Sequence, residues 1–375
     1  MKVKAVPTGL VEHVLAFGHR LPVPIAETAG AMMLARTVES ACVLGIFTHL
    51  SRRGPLTPAA LCAELSLDDG IGGALLLALA GAGYVIEKAG TYKNGAVAER
   101  FLVEGGPNYV GNFIRYNRQQ RLLWMGLEHM ARGRGERRTV NDALRALNDE
   151  ISAQLPPAGE HEANSHHAIK DPRVWHDYMH GLRDLSNLTL PELQLRLRLP
   201  RGARRLLDVG GGHGAYSMWM CRRYPALTST VVDLESAAAV GREIVAREGL
   251  SRRIQYVSAD ATALERFEGG PYDVAFCFNL IHHVTRDQGK DLLRKIGRAL
   301  APGGTLVLWD AFRDDELRRD SFARFVGLMF LLASGGDTYS FDEVTAWMDD
   351  AGFDRLKRIP MRSTPGTAII QGRRR

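Results

Sequence analysis

Cysteine is scarce in this 375-residue chain. The four present, Cys42, Cys62, Cys221 and Cys277, lie far apart and form no C-x-x-C pair. That excludes a disulfide framework and a zinc cluster, and leaves reduced thiols of a cytoplasmic protein as the expectation. Long hydrophobic runs are also missing. No apolar stretch reaches about 18 residues free of charge, so no membrane span is expected. The opening M-K-V-K-A-V-P-T-G-L lacks the continuous apolar region of a signal peptide. The formal net charge is +6, but the excess sits in short loop and end runs: Arg132, Arg134, Arg137 and Arg138; Arg201, Arg204 and Arg205; Arg373, Arg374 and Arg375. None of these is a basic stripe interleaved with aromatics, so nucleic acid is not an expected partner.

What is present is a folding composition. Hydrophobic residues make up 45% and charged residues 24%, enough for a sizeable core without disulfides or a structural metal. The length fits two domains better than one. Three segments are expected: a helical N-terminal domain at 1–105, a helical linker and pocket region at 106–200 with an insertion at 133–170, and an α/β domain at 201–375.

In the first segment, apolar residues recur at helical spacing from Ala31 to the S-R-R-G-P break at Ser51. Thr57 reads as an N-cap with Pro58 in the first turn of a short helix. A third helix is expected at 72–82, then two short strands at 84–86 and 91–93. Helix, short helix, helix and hairpin is the order of a winged helix. The third helix, L-L-L-A-L-A-G-A-G, is apolar and nearly uncharged, whereas a DNA-recognition helix needs polar and basic residues. The reading is therefore a dimerisation or scaffold module. Residues 107–132 carry Tyr109, Phe113, Tyr116, Leu123, Trp124 and Leu127 at helical spacing, fit for core or for the wall of a pocket. A helix is expected at 139–152. His161, His166 and His167 lack a second ligand group at a defined spacing, so no metal is expected. A long helix is expected from Pro172 to Leu199.

After Gly202 the pattern becomes alternating strand and helix, with strands expected at 205–209, 228–232, 254–257, 274–278 and 305–309. That is a doubly wound sheet, which binds ligands beyond the C-terminal ends of its strands. The first end is D-V-G-G-G-H-G at 208–214, where glycines let the backbone turn sharply and approach a ligand. The second end is Asp233, an acid able to accept both hydroxyls of a ribose. At the third, Ala259-Asp260-Ala261, a carboxylate can accept from an adenine amino group. The glycines at 210, 211, 212 and 214 do not fit the G-x-G-x-x-G spacing of dinucleotide enzymes.

The combination of E/D-x-G-x-G, a ribose acid and a following Ala-Asp resembles class I methyltransferases. The resemblance implies S-adenosylmethionine as cofactor, with Asp208, Gly210 and Gly212 at its methionine part, Asp233 and Leu234 at the ribose, Asp260 and Ala261 at the adenine, and Asn279 beside them. The segments L-G-I-F-T-H-L at 44–50, L-L-L-A-L-A-G-A-G-Y at 75–84, T-Y-K-N-G-A-V-A-E-R-F-L-V at 91–103 and A-P-G-G-T-L-V-L-W-D at 301–310 resemble the hydroxyindole- and caffeate-type small-molecule O-methyltransferases. This likeness covers most of the chain except 133–170. It implies an α/β Rossmann-like sheet with an N-terminal winged-helix dimerisation domain, a homodimer and a small-molecule acceptor.

Methyl transfer is an in-line displacement in which the donor carries the reactivity, so the protein positions a nucleophile and removes its proton. His suits that task near neutral pH. The family motif L-H-D-W aligns on Ile281-His282, making His282 the candidate base, with His283 in the place of Asp and a one-residue register ambiguity between the two. The acid that orients the base is expected further along. Asp337 in G-G-D-T-Y-S is one candidate; Asp314, Asp315 and Glu316 are others. Phe325 and Met329, on a helix expected at 317–333 that also carries Phe322 and Phe330, are candidate acceptor-pocket residues. Trp175 and His176 are candidates from the long linker helix. Two reactions stay open: O-methylation of a secondary metabolite, and C- or S-methylation of a keto acid or thioether, which gains ground if no acid orients His282. A non-catalytic regulator would show basic residues on the third helix, and they are absent.

Overall fold

The computed structural model describes residues 23–125, 127–132, 172–313, 325, 327–330, 332, 338–364 and 366–375. The expected helix at 139–152, His161, His166, His167, Asp314, Asp315, Glu316, Phe322 and Asp337 lie outside them. The chain divides into two compact units between Arg118 and Gln119. Among the described residues no single helix is long and apolar enough to cross a membrane.

The first unit opens with α1 (Val23–Val43) and α2 (Ile46–Arg53). The periodicity predicted one helix here. Gly45, at φ +71°, takes the left-handed conformation that breaks an α-helix. The apolar spacing runs across the break because Val38, Ala41 and Cys42 before it and Ile46, Phe47 and Leu50 after it enter the same core. The Thr57 hydroxyl accepts the Ala60 N–H at 3.3 Å and Pro58 opens α3 (Pro58–Leu65), as expected. The Asp68 carboxylate caps α4 (Asp69–Gly81) by accepting the Ile71 N–H at 2.8 Å, which starts this helix three residues before the predicted Gly72. The hairpin β1 (Val85–Lys88) and β2 (Thr91–Asn94) follows, then α5 (Ala96–Phe101). The unit boundary falls within α6 (Gly111–Met125), which α7 (Leu127–Ala131) succeeds.

The second unit contains α8 (Pro172–Arg196), β3 (Arg205–Val209), α9 (Ala215–Arg223), β4 (Thr228–Asp233), α10 (Glu235–Arg247), β5 (Ile254–Ser258), β6 (Tyr272–Phe278), α11 (Arg286–Ala299), β7 (Leu300–Ala311), α12 (Phe341–Asp350), β8 (Phe353–Pro360) and β9 (Thr367–Arg374). The described strands form a seven-stranded sheet in the order β5-β4-β3-β6-β7-β9-β8. β3 to β7 are parallel, and β9 and β8 add antiparallel at one edge. Alternate residues enter opposite cores, as a pleated strand requires. Leu206, Phe276 and Trp309 go to the face of α8, α9 and α10; Leu207, Cys277 and Leu308 go to the face of α11 and α12. The chain winds outward from β3 to β5 and then crosses to β6 on the other side of β3. The strand order therefore reverses at the β3/β6 seam, where open sheets of this type leave a binding crevice.

Candidate active site

The seam is built from glycines because nothing larger fits. Gly210, Gly212 and Gly214 sit at φ +71°, +45° and +69°, where side chains are strained. Between them, a Cβ on Gly211 would lie 2.6 Å from Asp208 Cγ and 2.8 Å from Val231 Cγ1. His213 Nδ1 accepts the Ala215 N–H at 3.1 Å at the start of α9. Burial, with Arg183 and His180 nearby, lowers the His213 imidazole to about 3, so it stays neutral and accepting. Met179 of α8 lies against the same loop: its Sδ would be 3.2 Å from a Cβ on Gly212. Sequence reading passed over Met179 because its spacing on α8 is that of a core residue.

The acids follow. Asp208 is 1% exposed, and its Oδ2 accepts from Ser217 Oγ at 2.5 Å. Its Oδ1 is buried with no hydrogen-bond partner among the described residues. Burial raises this carboxyl to about 7, against the Ser217 bond and with the help of Asp233. Asp233 accepts the Gly212 N–H on Oδ2 and the Leu234 N–H on Oδ1, both at 2.7 Å. Its burial outweighs those two bonds and raises it to about 6. Asp260 Oδ1 accepts both the backbone N–H and the hydroxyl of Thr262, at 2.8 and 2.7 Å, which closes the turn after β5 around the buried Ala261. Lys295 of α11, itself buried, ties this turn down by donating to the Thr262 carbonyl at 2.9 Å. Asn279 is exposed just past β6 at φ +52°, with its N–H donating to the Trp309 carbonyl at 2.7 Å.

The glycine loop and the loop after β6 touch. A Cβ on Gly210 would lie 3.1 Å from the Leu280 side chain. One turn of 3-10 helix, Ile281–His283, then presents the two histidines. His282 Nδ1 is 2.5 Å from Asp310 Oδ1. Asp310 also accepts the Ile281 N–H on Oδ2 at 2.9 Å and the Ala311 N–H on Oδ1 at 2.7 Å. The His282 and Asp310 side chains are 5% and 2% exposed. The Phe330 ring stacks on the imidazole at 3.6 Å between centroids and 17°. His283 is half-buried, with its ring 4.1 Å from that of His282.

His282 thus has a buried acid on its Nδ1. That acid is Asp310, at the C-terminal end of β7, which sequence reading overlooked while seeking a partner further along. Its signal was the register of adjacent strands. Phe278 pairs with Trp309, so whatever follows each of them meets. Of the candidate pocket residues, Met329 is half-buried next to Phe330 and Phe325 is 56% exposed. Trp175 is 3% exposed in the sheet core, whereas His176 is exposed with its ring 4.2 Å from that of His180. Neighbours on one helix point about 100° apart, and these two do not share a wall.

Comparison with known proteins agrees with this geometry. Residues 206–304 match the methyltransferase domain family, and residues 26–104 match the O-methyltransferase dimerisation domain. A 3-hydroxy-5-methyl-1-naphthoate 3-O-methyltransferase of Streptomyces sahachiroi is 26% identical, over 94% of this chain and 95% of its own. An L-tyrosine C(3)-methyltransferase of Streptomyces lavendulae is also 26% identical, over 89% and 88%. The crystal structure of human N-acetylserotonin methyltransferase in complex with SAM shares the fold, with a TM-score of 0.77 at 18% identity over 99% of both chains. The sheet, the glycine loop with its acids and these matches define a class I S-adenosylmethionine-dependent methyltransferase. Within that class the chain carries both a methyltransferase domain and an O-methyltransferase dimerisation domain. The residues present fit the donor. The four glycines let the loop backbone turn closely, Asp233 stands at the end of β4, and Asp208 keeps a buried oxygen with no partner among the described residues.

Proposed function

We propose that this enzyme methylates a hydroxyl group of a small secondary-metabolite acceptor, with His282 as general base and Asp310 as the residue that orients it. The observation that carries this is the 2.5 Å contact between His282 Nδ1 and Asp310 Oδ1, on a loop that touches the glycine turn through Leu280 and Gly210. A buried carboxylate on Nδ1 selects the tautomer with its proton there, which leaves Nε2 to take a proton from the acceptor and stabilises the imidazolium that forms. A neutral hydroxyl is a weak nucleophile, and removing its proton is the help it needs. The donor supplies an activated methyl group on a sulfonium sulfur.

Asp208, Gly210 and Gly212 hold the methionine end of the donor in this reading, Asp233 and Leu234 the ribose, and Asp260 and Ala261 the adenine, with Asn279 at the edge. Met329 and Phe325, one helical turn apart, line the acceptor. Trp175, one turn from Met179, backs the donor loop, and His176 stays at the surface. The ground for C- or S-methylation was a base without an acid, and Asp310 removes it. The protein works as a homodimer through its first unit, whose Met32, Met33 and Leu77 are 62%, 60% and 62% exposed, more apolar surface than a lone unit has reason to show.

The test is to incubate the enzyme with methyl-labelled S-adenosylmethionine and a panel of phenols, keto acids and thioethers, then locate the label by NMR. Label on oxygen is the expected result. Label only on carbon or sulfur refutes the reading, and the tyrosine C-methylating relative makes that outcome a real alternative.

A further inference from the structure

Tyr256 stands in the middle of β5, two residues before the strand's last residue, Ser258, and has no role in the chemistry above. It pairs with Val231 on β4, which in turn pairs with Asp208 on β3. Its phenol therefore lies level with the start of the glycine loop. The hydroxyl donates to the Gly212 carbonyl at 3.1 Å. Burial, with Asp208 and Asp233 nearby, raises this phenol far above its ordinary range, so the proton that makes the bond stays in place. Two glycines from two other elements make room for the phenol. A Cβ on Gly214, at the start of α9, would lie 2.4 Å from the Tyr256 oxygen. A Cβ on Gly241, in α10, would lie 2.5 Å from that oxygen and 2.4 Å from the Gly212 carbonyl oxygen.

Gly212 is thus held on both of its polar groups by side chains. Asp233 takes the N–H at 2.7 Å, and Tyr256 gives to the carbonyl. The residue they hold sits at φ +45°, one of several backbone conformations open to a glycine, and the two bonds select it. We propose that Tyr256 is a positioning residue for donor binding: it fixes the Gly212 peptide and, through the Gly212 N–H, the Asp233 carboxylate. This rests on the reading of 208–214 and Asp233 as the donor site. Tyr256 bonds to the glycine loop, so its effect is expected on donor affinity alone.

The experiment compares Tyr256→Phe, which keeps the ring and the wedge and removes only the O–H, with wild type and with Asp233→Asn. Binding of S-adenosylhomocysteine is measured by calorimetry, and KM for each substrate and kcat are measured alongside. Loss of one hydrogen bond to a carbonyl predicts S-adenosylhomocysteine binding weakened about three- to tenfold in Tyr256→Phe. Donor KM rises in parallel, and kcat at saturating donor and the acceptor KM stay within twofold. Unchanged affinity in Tyr256→Phe with weakened affinity in Asp233→Asn overturns the role of Tyr256 and leaves the donor site standing. Unchanged affinity in both overturns the donor-site reading itself. A fall in kcat, or a rise in both KM values together with a lowered Tm, marks Tyr256 as a general structural residue and also overturns the proposal.

Discussion

Asp208→Asn exchanges a buried titratable group for a neutral one of nearly the same shape. The carboxyl rises from an ordinary 3.8 to about 7 in the folded protein, which corresponds to about 4 kcal/mol against the ionised form. The sign follows from proton binding. The folded state holds this proton more tightly than the unfolded chain, so the penalty is absent below the unfolded value, grows as pH rises, and is complete above about 7. Asn escapes it but holds the Ser217 hydroxyl less well, so the net gain at pH 8 is about 1–3 kcal/mol. For a unit of this size that is a rise in Tm of several degrees, at about 2–4 °C per kcal/mol. Thermal scans of wild type and Asp208→Asn from pH 4 to pH 8.5 test it. The two Tm curves should cross, with wild type the more stable near pH 4 and Asn the more stable at pH 8, while calorimetry shows S-adenosylhomocysteine binding lost. A Tm difference that does not change with pH refutes the reasoning, as does donor-product binding retained within threefold.

Other perturbations follow from the same geometry. In wild type, S-adenosylhomocysteine affinity should fall as pH drops through about 7 and then about 6, because protons return to Asp208 and then Asp233; a flat titration from pH 8 to pH 5 contradicts this. Gly211→Ala places a Cβ against two buried side chains and should destabilise by about 2–3 kcal/mol and weaken donor-product binding, read by denaturant melts and calorimetry. Gly45→Ala meets no atom within 4 Å but must hold φ +71°, so it should cost about 1 kcal/mol and leave donor-product binding unchanged. Asp310→Asn should lower kcat by about two to four orders of magnitude by favouring the wrong imidazole tautomer, with S-adenosylhomocysteine affinity within twofold of wild type.

The parts legible in the sequence were those whose signal is local. Each of the five parallel strands is a short apolar run, and the glycine loop and Asp233 follow the ends of two of them. The parts that escaped depend on partners distant along the chain. β8 and β9 were not foreseen: Phe353–Pro360 has apolar residues at every third position, with two charged residues between them, and reads as surface until β9 pairs with β7. Gly45 lies within an unbroken apolar period, and only its left-handed backbone divides the helix. Asp310 belongs to a hydrophobic strand, 28 residues from His282. Charge clusters in nearby loops drew attention instead, because parallel register is not written in either strand alone. Tyr256 looks like an ordinary strand aromatic until the two glycines facing it are seen to be the room made for its hydroxyl.

In the proposed reaction His282, held by Asp310, takes the proton from an acceptor hydroxyl. The most direct measurement of this step is single-turnover transfer from bound S-adenosylmethionine to a phenolic acceptor, in wild type and His282→Ala, at saturating concentrations of both substrates. The expected result is an O-methylated product and a rate at least about a hundredfold lower in His282→Ala, with S-adenosylhomocysteine bound as tightly as before. An O-methylation rate unchanged by the substitution would contradict it.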